Sequence, residues 1–168
     1  MKAALRKTLR LLCDAKVDFI LVGGLSAVVR GLPVNTYDVD IVHSQTPDNI
    51  ERILPVLEEL DAVFRIQPDR RLRPNTSHLS GKGHLNLITT NGPLDVLCTI
   101  GHDLTYQDLI PDSEVLALSE NLDVRVLTLE KLIELKEQLN GEKDRVMLPL
   151  LRRALRERRS PTPPSRDS

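Results

Sequence analysis

Three aspartates carry the most chemistry that this chain can offer. Asp38 and Asp40 stand two apart in Thr36-Tyr37-Asp38-Val39-Asp40-Ile41-Val42, and Asp95 lies in the apolar run Leu94-Asp-Val-Leu97. The residues around Asp40 predict a strand from about Val39 to His43, and side chains two apart on a strand share a face. Two carboxylates on one patch repel each other unless a cation neutralises them, and oxygen ligands suit a hard divalent ion such as magnesium. A solvated strand end would need no cation, so the pair alone does not decide. Asp95 sits where an unpaired buried charge would be costly. It either faces water on a half-exposed strand or turns toward Asp38 and Asp40 from a neighbouring strand. In the second case three carboxylates converge, and two metal ions about 4 Å apart could stabilise both ends of an in-line displacement at phosphorus.

A second feature precedes the pair. The apolar run Phe19-Ile-Leu-Val22 ends in Gly23-Gly24-Leu25-Ser26, which predicts a buried strand, a tight turn and a short helix closed by Gly31 and Pro33. The first amides of a helix are unpaired and carry partial positive charge, so Gly23, Gly24 and the Ser26 hydroxyl could receive a phosphate. A glycine pair after a strand is also simply a turn. The apolar Ile41 and Val42 follow the aspartate pair, which places it at the beginning of its strand. Haloacid-dehalogenase phosphatases and metal-dependent glycosyltransferases generally carry Asp-x-Asp after an apolar strand, which argues against both.

The elements that must position these residues are legible as periodicities. Leu5, Leu9 and Leu12 predict an amphipathic first helix, and Pro47 opens a second long one to about Leu60, with Ile50, Ile53, Leu54 and Leu57 on one side. A strand is expected near 62–66. Residues 67–83, with Pro68, Pro74, Gly81 and Gly83, are expected to be a loop. Strands follow at 84–89 and 94–99, joined by the hairpin signal Thr90-Asn-Gly-Pro93, then a short pair at 114–118 and 122–126. Helices at 128–139 and 142–157 finish the fold. The expected architecture is α/β of the α+β type, a small twisted mixed sheet with helices mainly on one face and a C-terminal helical pair. Residues 1–126 form the core, 127–159 the helical pair packed on it in the same unit, and 160–168 a disordered tail rich in Pro, Ser and charge.

Composition narrows the class. The chain has 168 residues, enough for one ordinary domain, with a globular balance of 40% hydrophobic and 28% charged residues. Aromatics are only 2%, so the core must be built from Leu, Val, Ile and Ala, and little surface is left on which to stack bases. A net charge of -1 gives the whole chain no reason to cling to nucleic acid or an anionic membrane. Locally, Arg65, Arg70, Arg71 and Arg73 cluster, as do Arg152, Arg153, Arg156, Arg158 and Arg159; both groups fit a solvated surface, and both, the first more readily than the second, a phosphate or RNA contact, with tRNA open to the first. Cys13 and Cys98 have no metal or disulfide spacing, and His43, His78, His84 and His102 read as surface or loop residues. No apolar run suggests a secretory signal or a membrane span, and a reducing cytoplasm is the expected compartment.

Taken together, Gly-Gly-x-Ser, a spacer, Thr-x-Asp-x-Asp and the later Gly-Pro-Leu-Asp-Val-Leu strand resemble the polymerase-beta-type nucleotidyltransferase superfamily. The likeness is to its small stand-alone members, the AbiEii-like and minimal nucleotidyltransferases of toxin–antitoxin pairs, and it covers residues 17–43, 84–99 and 127–151. It implies that Gly23, Gly24 and Ser26 hold nucleotide phosphates, that Asp38 and Asp40 bind magnesium or manganese, and that Asp95 completes the catalytic and metal site. It implies ATP or another nucleoside triphosphate as donor. The acceptor would be a hydroxyl of a protein, a tRNA 3′ end or a small molecule, with a cognate toxin or antitoxin protein as a further partner. In the helix from Leu129, Lys136 falls inside the apolar stripe of 129, 132, 133 and 139; it either snorkels to solvent or enters the cleft as a nucleotide ligand. Related small members carry a comparable lysine and then a Lys-Asp pair, here Lys143-Asp144, so Asp144 joins the nucleotide-binding candidates; it also suits a helix first turn on charge alone. The chain reads Asn140-Gly-Glu-Lys-Asp and lacks the arginine that some members place there. The other reading of the same residues is an inactive module that keeps the fold and binds a partner protein.

Overall fold

Alternating and continuous apolar runs generate a seven-stranded sheet. The structure, a computed structural model, describes residues 1–160, so the tail expected to be disordered lies, beyond Ser160, outside the described residues. In chain order the elements are α1 (Ala3–Asp14), β1 (Phe19–Val22), α2 (Gly23–Val28), β2 (Val39–His43), α3 (Pro47–Glu59), β3 (Val63–Phe64), α4 (Thr76–Ser80), β4 (His84–Thr89), β5 (Gly92–Leu97), α5 (Tyr106–Leu109), β6 (Ser113–Ser119), β7 (Leu122–Leu127), α6 (Leu129–Leu139) and α7 (Glu142–Arg159). The strand order is β3-β4-β5-β2-β1-β7-β6. It is mixed, with β2 parallel to β5 and β1 parallel to β7, while β1 and β2 run antiparallel. This is the mixed α/β architecture that the sequence predicts.

Period-two alternation divides the sheet residues between two cores. One face packs Leu21, Val39, Ile41, Leu85, Leu87, Leu94 and Val96 against Leu5, Leu9 and Leu12 of α1 and Ile50, Ile53 and Leu57 of α3. On the other face Ile20, Val22, Val42 and Leu127 meet Leu109 of α5 and Leu135 of α6. A third cluster joins Ala27 of α2 to Leu129, Leu132, Met147, Leu148 and Leu151 of the C-terminal pair. Each fully buried leucine contributes about 2 kcal/mol. Among the described residues no helix is long and apolar enough to cross a membrane.

Side-chain caps set several boundaries. Thr46 accepts the Asn49 N–H at 3.4 Å and Pro47 occupies the first turn of α3, where its missing N–H costs nothing. Asn49 is itself fully buried. Its amide accepts from the Asp18 N–H at 2.7 Å and donates to the carbonyls of Asp18 and Ser44 at 2.9 and 2.8 Å, tying α3 to the ends of β1 and β2. Asn49→Ala would strand these backbone groups, and denaturant unfolding should register a loss of about 2 kcal/mol; a loss below a few tenths would mean that water replaces the amide.

The segment expected to be a loop is more ordered than its prolines suggest. It holds a short 3-10 turn at Pro68–Arg70 and then α4, whose cap Asn75 accepts the His78 N–H at 3.1 Å. His43 also departs from expectation. It is fully buried rather than on the surface, with Nε2 2.9 Å from the Leu79 carbonyl and Nδ1 3.1 Å from that of Leu97. Gln45 donates to the carbonyls of Leu79 and Gly81 at 3.0 and 2.6 Å. These two polar side chains hold α4 against the end of β2, a long-range arrangement that no local spacing announces. The second hairpin strand begins at Gly92 rather than 94, because Thr89 Oγ1 donates to the Gly92 carbonyl and closes the turn over Thr90 and Asn91. Pro93 is tolerated there since pairing with β2 starts only at Leu94.

Candidate active site

The site is a row across the strands. Registers place Asp40 of β2 opposite Val22 of β1 on one side and Asp95 of β5 on the other. Asp95 in turn lies opposite Asn86 of β4, and the Arg65 N–H donates to the Asn86 carbonyl at 2.9 Å. Directly opposed residues share a face, so Arg65, Asn86, Asp95 and Asp40 form one polar line, with Gly23 at the end where β1 turns into α2. Asp38 stands just before β2, one alternation from Asp40 and on the same side.

The two central carboxylates are held against each other. Burial, the charge of Asp95, a hydrogen bond between the two carboxyl groups and the charge of Asp38 push the Asp40 carboxyl up from 3.8 to about 7, with Lys136 acting in the opposite direction. At neutral pH the bare site thus holds Asp40 part-protonated beside Asp95. Among the described residues no three His, Cys, Asp or Glu side chains already enclose a metal-sized position: Asp40 and Asp95 meet, and Asp38 is near enough to act through its charge. The donor chemistry fits magnesium, because mutually repelling carboxylates become favourable neighbours only around a cation or a proton.

This raised value has a sign that can be tested without metal. Above 3.8 the unfolded chain ionises Asp40 while the folded chain resists until about 7. The group therefore withdraws stability progressively across that window and by a constant amount above it. In chelator-treated buffer Asp40→Asn should match wild type near pH 4 and exceed it near pH 8, by on the order of 4 kcal/mol in urea unfolding. A gap that stays level with pH would remove the basis for this assignment.

Glycine shapes the other wall. Gly23 has φ +67, and a Cβ there would lie 2.9 Å from Cγ of Asp40 and overlap its carboxylate. The absent side chain is the space that Asp40 occupies. A Cβ on Gly24 would press on Thr36 at 3.2 Å, so the Gly pair lets the β1–α2 turn close over the strand bearing Thr36-x-Asp38. Ser26 is fully buried and its hydroxyl donates to the Gly23 carbonyl at 2.5 Å, so in this state it braces the turn.

The C-terminal pair supplies the remaining groups. Lys136 neither snorkels nor stands free: its Nζ lies 2.7 Å from Oδ1 of Asp144, with side-chain exposures of 16 and 11%. Oδ2 of Asp144 accepts the Gly141 N–H at 3.1 Å. The buried stripe of α6 runs through Leu135 rather than Leu139, which is exposed, and this rotation aims Lys136 at the site. Lys136, Asp40, Gly23 and Leu97 line one cleft of about 150 Å³. Beyond Asp38, a larger cleft of about 460 Å³ is lined by Pro33, Val34, Tyr37, Lys143, Val146 and Met147.

Two of the row's members were not picked out as site residues from sequence. Arg65 places Nη2 2.6 Å from Asp95 Oδ1 and 3.3 Å from the Leu87 carbonyl. Its neighbours Arg71 and Arg73 instead pair with Asp61. Asn86 is exposed beside Asp95; counting back from the hairpin turn would have found it, since Thr89 opposite Gly92 puts 86 opposite 95. The C-terminal arginines make surface pairs, Arg152 with Glu137 and Arg159 with Glu130 among them.

No family model matches the sequence, and no curated protein matches it. Among solved structures, the chain is similar to one from Thermotoga maritima described as a "putative nucleotidyltransferase", with a TM-score of 0.54, 22% identity and 91% of each chain covered. At that identity the likeness is one of fold, and over nine-tenths of its length this chain has the fold of a protein so described.

Proposed function

We propose that the protein is a metal-dependent nucleotidyltransferase that moves a nucleoside monophosphate from a nucleoside triphosphate to a hydroxyl acceptor. The observation that carries this reading is the Asp40–Asp95 pair, set side by side on adjacent strands against a glycine turn. Magnesium, when bound, would supply charge neutralisation for the triphosphate and for the attacking oxygen. Asp38, Asp40 and Asp95 are the residues that would hold it. Asp95 would also accept the proton of the incoming hydroxyl. The β1–α2 turn offers backbone N–H groups, and Lys136 a cation, to the phosphates. The cleft beside Tyr37 and Met147 has room for the nucleoside. The fold likeness to a protein described as a nucleotidyltransferase agrees with this assignment.

The acceptor belongs to the proposal in its chemistry alone: a hydroxyl on a protein, a tRNA 3′ end or a small molecule. A role beside a toxin or antitoxin partner rests on the sequence resemblance. The test is calorimetric titration of ATP, CTP, GTP and UTP with magnesium, followed by labelling of a cell extract with the triphosphate that binds. Magnesium-dependent binding and label transfer that vanish in Asp38→Ala and Asp40→Ala protein are expected. Equal labelling by wild type and variants would refute the enzyme, and tight co-purification with one protein and no triphosphate binding would identify a partner-binding module instead.

A further inference from the structure

The Arg65–Asp95 ion pair has no place in the reading above, and it occupies the carboxylate that metal would need. Arg65 follows directly on β3, at the end of the polar row, and its guanidinium is fixed from two sides, by Asp95 Oδ1 at 2.6 Å and by the Leu87 carbonyl at 3.3 Å. The backbone holds it in reach as well, through its N–H to Asn86. The Asp95 side chain is 17% exposed and that of Arg65 40%, so the pair sits at the rim of the site, open to solvent on the arginine side. Lys136 acts on Asp40 from the opposite end of the row. The two carboxylates thus lie between two cationic side chains.

We propose that Arg65 is a built-in counter-cation of Asp95 that hinders divalent metal from loading alone and turns to the triphosphate when metal and nucleotide arrive together. The inference rests on the nucleotidyltransferase reading. A positive charge 2.6 Å from a ligand oxygen opposes a second cation on the same carboxylate. A triphosphate reverses that effect, because its oxygens offer the guanidinium a partner of higher charge and matching planar geometry. Arg65 is in this sense a positioning residue, acting on metal through Asp95.

The test uses Mn²⁺ as the metal probe, followed by electron paramagnetic resonance of the free ion, with and without a non-hydrolysable α,β-methylene triphosphate. Removing the charge in Arg65→Gln should tighten nucleotide-free Mn²⁺ binding about tenfold and weaken binding of the metal–triphosphate complex by a similar factor. Arg65→Lys keeps the charge and should stay within about threefold of wild type for the bare metal. Arg65→Met, similar in length, provides a second neutral variant, and melting curves establish that each is folded. Unchanged or weaker Mn²⁺ binding in the neutral variants overturns the role of Arg65. An Asp40→Asn control separates this from failure of the wider reading: if Asp40→Asn and wild type bind Mn²⁺–triphosphate alike, the carboxylate site itself is wrong and both ideas fall.

Discussion

Replacing Asp40 by asparagine should cut magnesium-dependent nucleotide transfer by at least about a thousandfold while leaving the fold intact or firmer. The isosteric amide keeps the volume in the crowded space beside Gly23, so the backbone has no reason to move. It removes the group whose burial and carboxylate neighbours force its pKa up to about 7, which relieves the bare protein of an unfavourable charge. On the proposed assignment it also removes a metal-ligand charge at the centre of the row, flanked by Asp38 and Asp95, where neither neighbour can compensate. Function and stability thus change in opposite directions, which simple misfolding would not produce. Radiolabelled transfer at saturating magnesium, together with melting temperature at pH 8, measures both; retained transfer, or a large loss of stability, contradicts the argument.

Gly23→Ala should destabilise the protein by about 3 kcal/mol or more. Two costs add. The residue lies at φ +67, where a side chain costs about 1–2 kcal/mol. The new methyl would also overlap the Asp40 carboxylate, whose Cβ lies only 3.1 Å from the same point and cannot retreat without shifting β2. Gly31 provides the comparison. It too has positive φ, +84, but a Cβ there meets nothing within 4 Å, so Gly31→Ala should cost only the conformational part, about 1 kcal/mol. Guanidinium unfolding of the two variants checks the difference; equal losses would mean that Asp40 yields easily and that Gly23 is kept for its dihedral alone.

Local signals account for much of this architecture. The runs Phe19–Val22 and Val39–His43, the Thr46-Pro47 start of α3 and the leucine spacing of α1 each encode their element within a few residues. The break expected between helices at 128–139 and 142–157 falls where Asn140 takes the left-handed conformation that ends α6. The neighbourhood of Asp40 and Asp95 was legible in part, because two strands with one carboxylate each have few ways to satisfy them. What escaped depends on contacts distant in sequence. His43 became buried because α4 folds over it, and α4 is only five residues long, too short for periodicity to reveal. Arg65 was one of four clustered arginines, and nothing local distinguishes it from Arg71 or Arg73; only the β3–β4 register sends it to Asp95 and the others to Asp61. One member of the α6 stripe differs from expectation, Leu135 in place of Leu139, because both are apolar and only the packing on Val42 and Leu127 chooses between them.

The packing of Ala27 against Leu132 and Met147 has a consequence for the order in which the molecule matures. During synthesis, β1, α2, β2 and β5 have all been made well before α6 and α7, so a growing chain carries its carboxylates and its glycine turn early. The helix that presents Gly23 is only six residues long, too short to persist without a neighbour. That neighbour and Lys136 are made only after all seven strands. A chain interrupted before α6 would hold the acidic strands without the support that completes their cleft, so the cleft takes shape only after the helices that follow the sheet have been made.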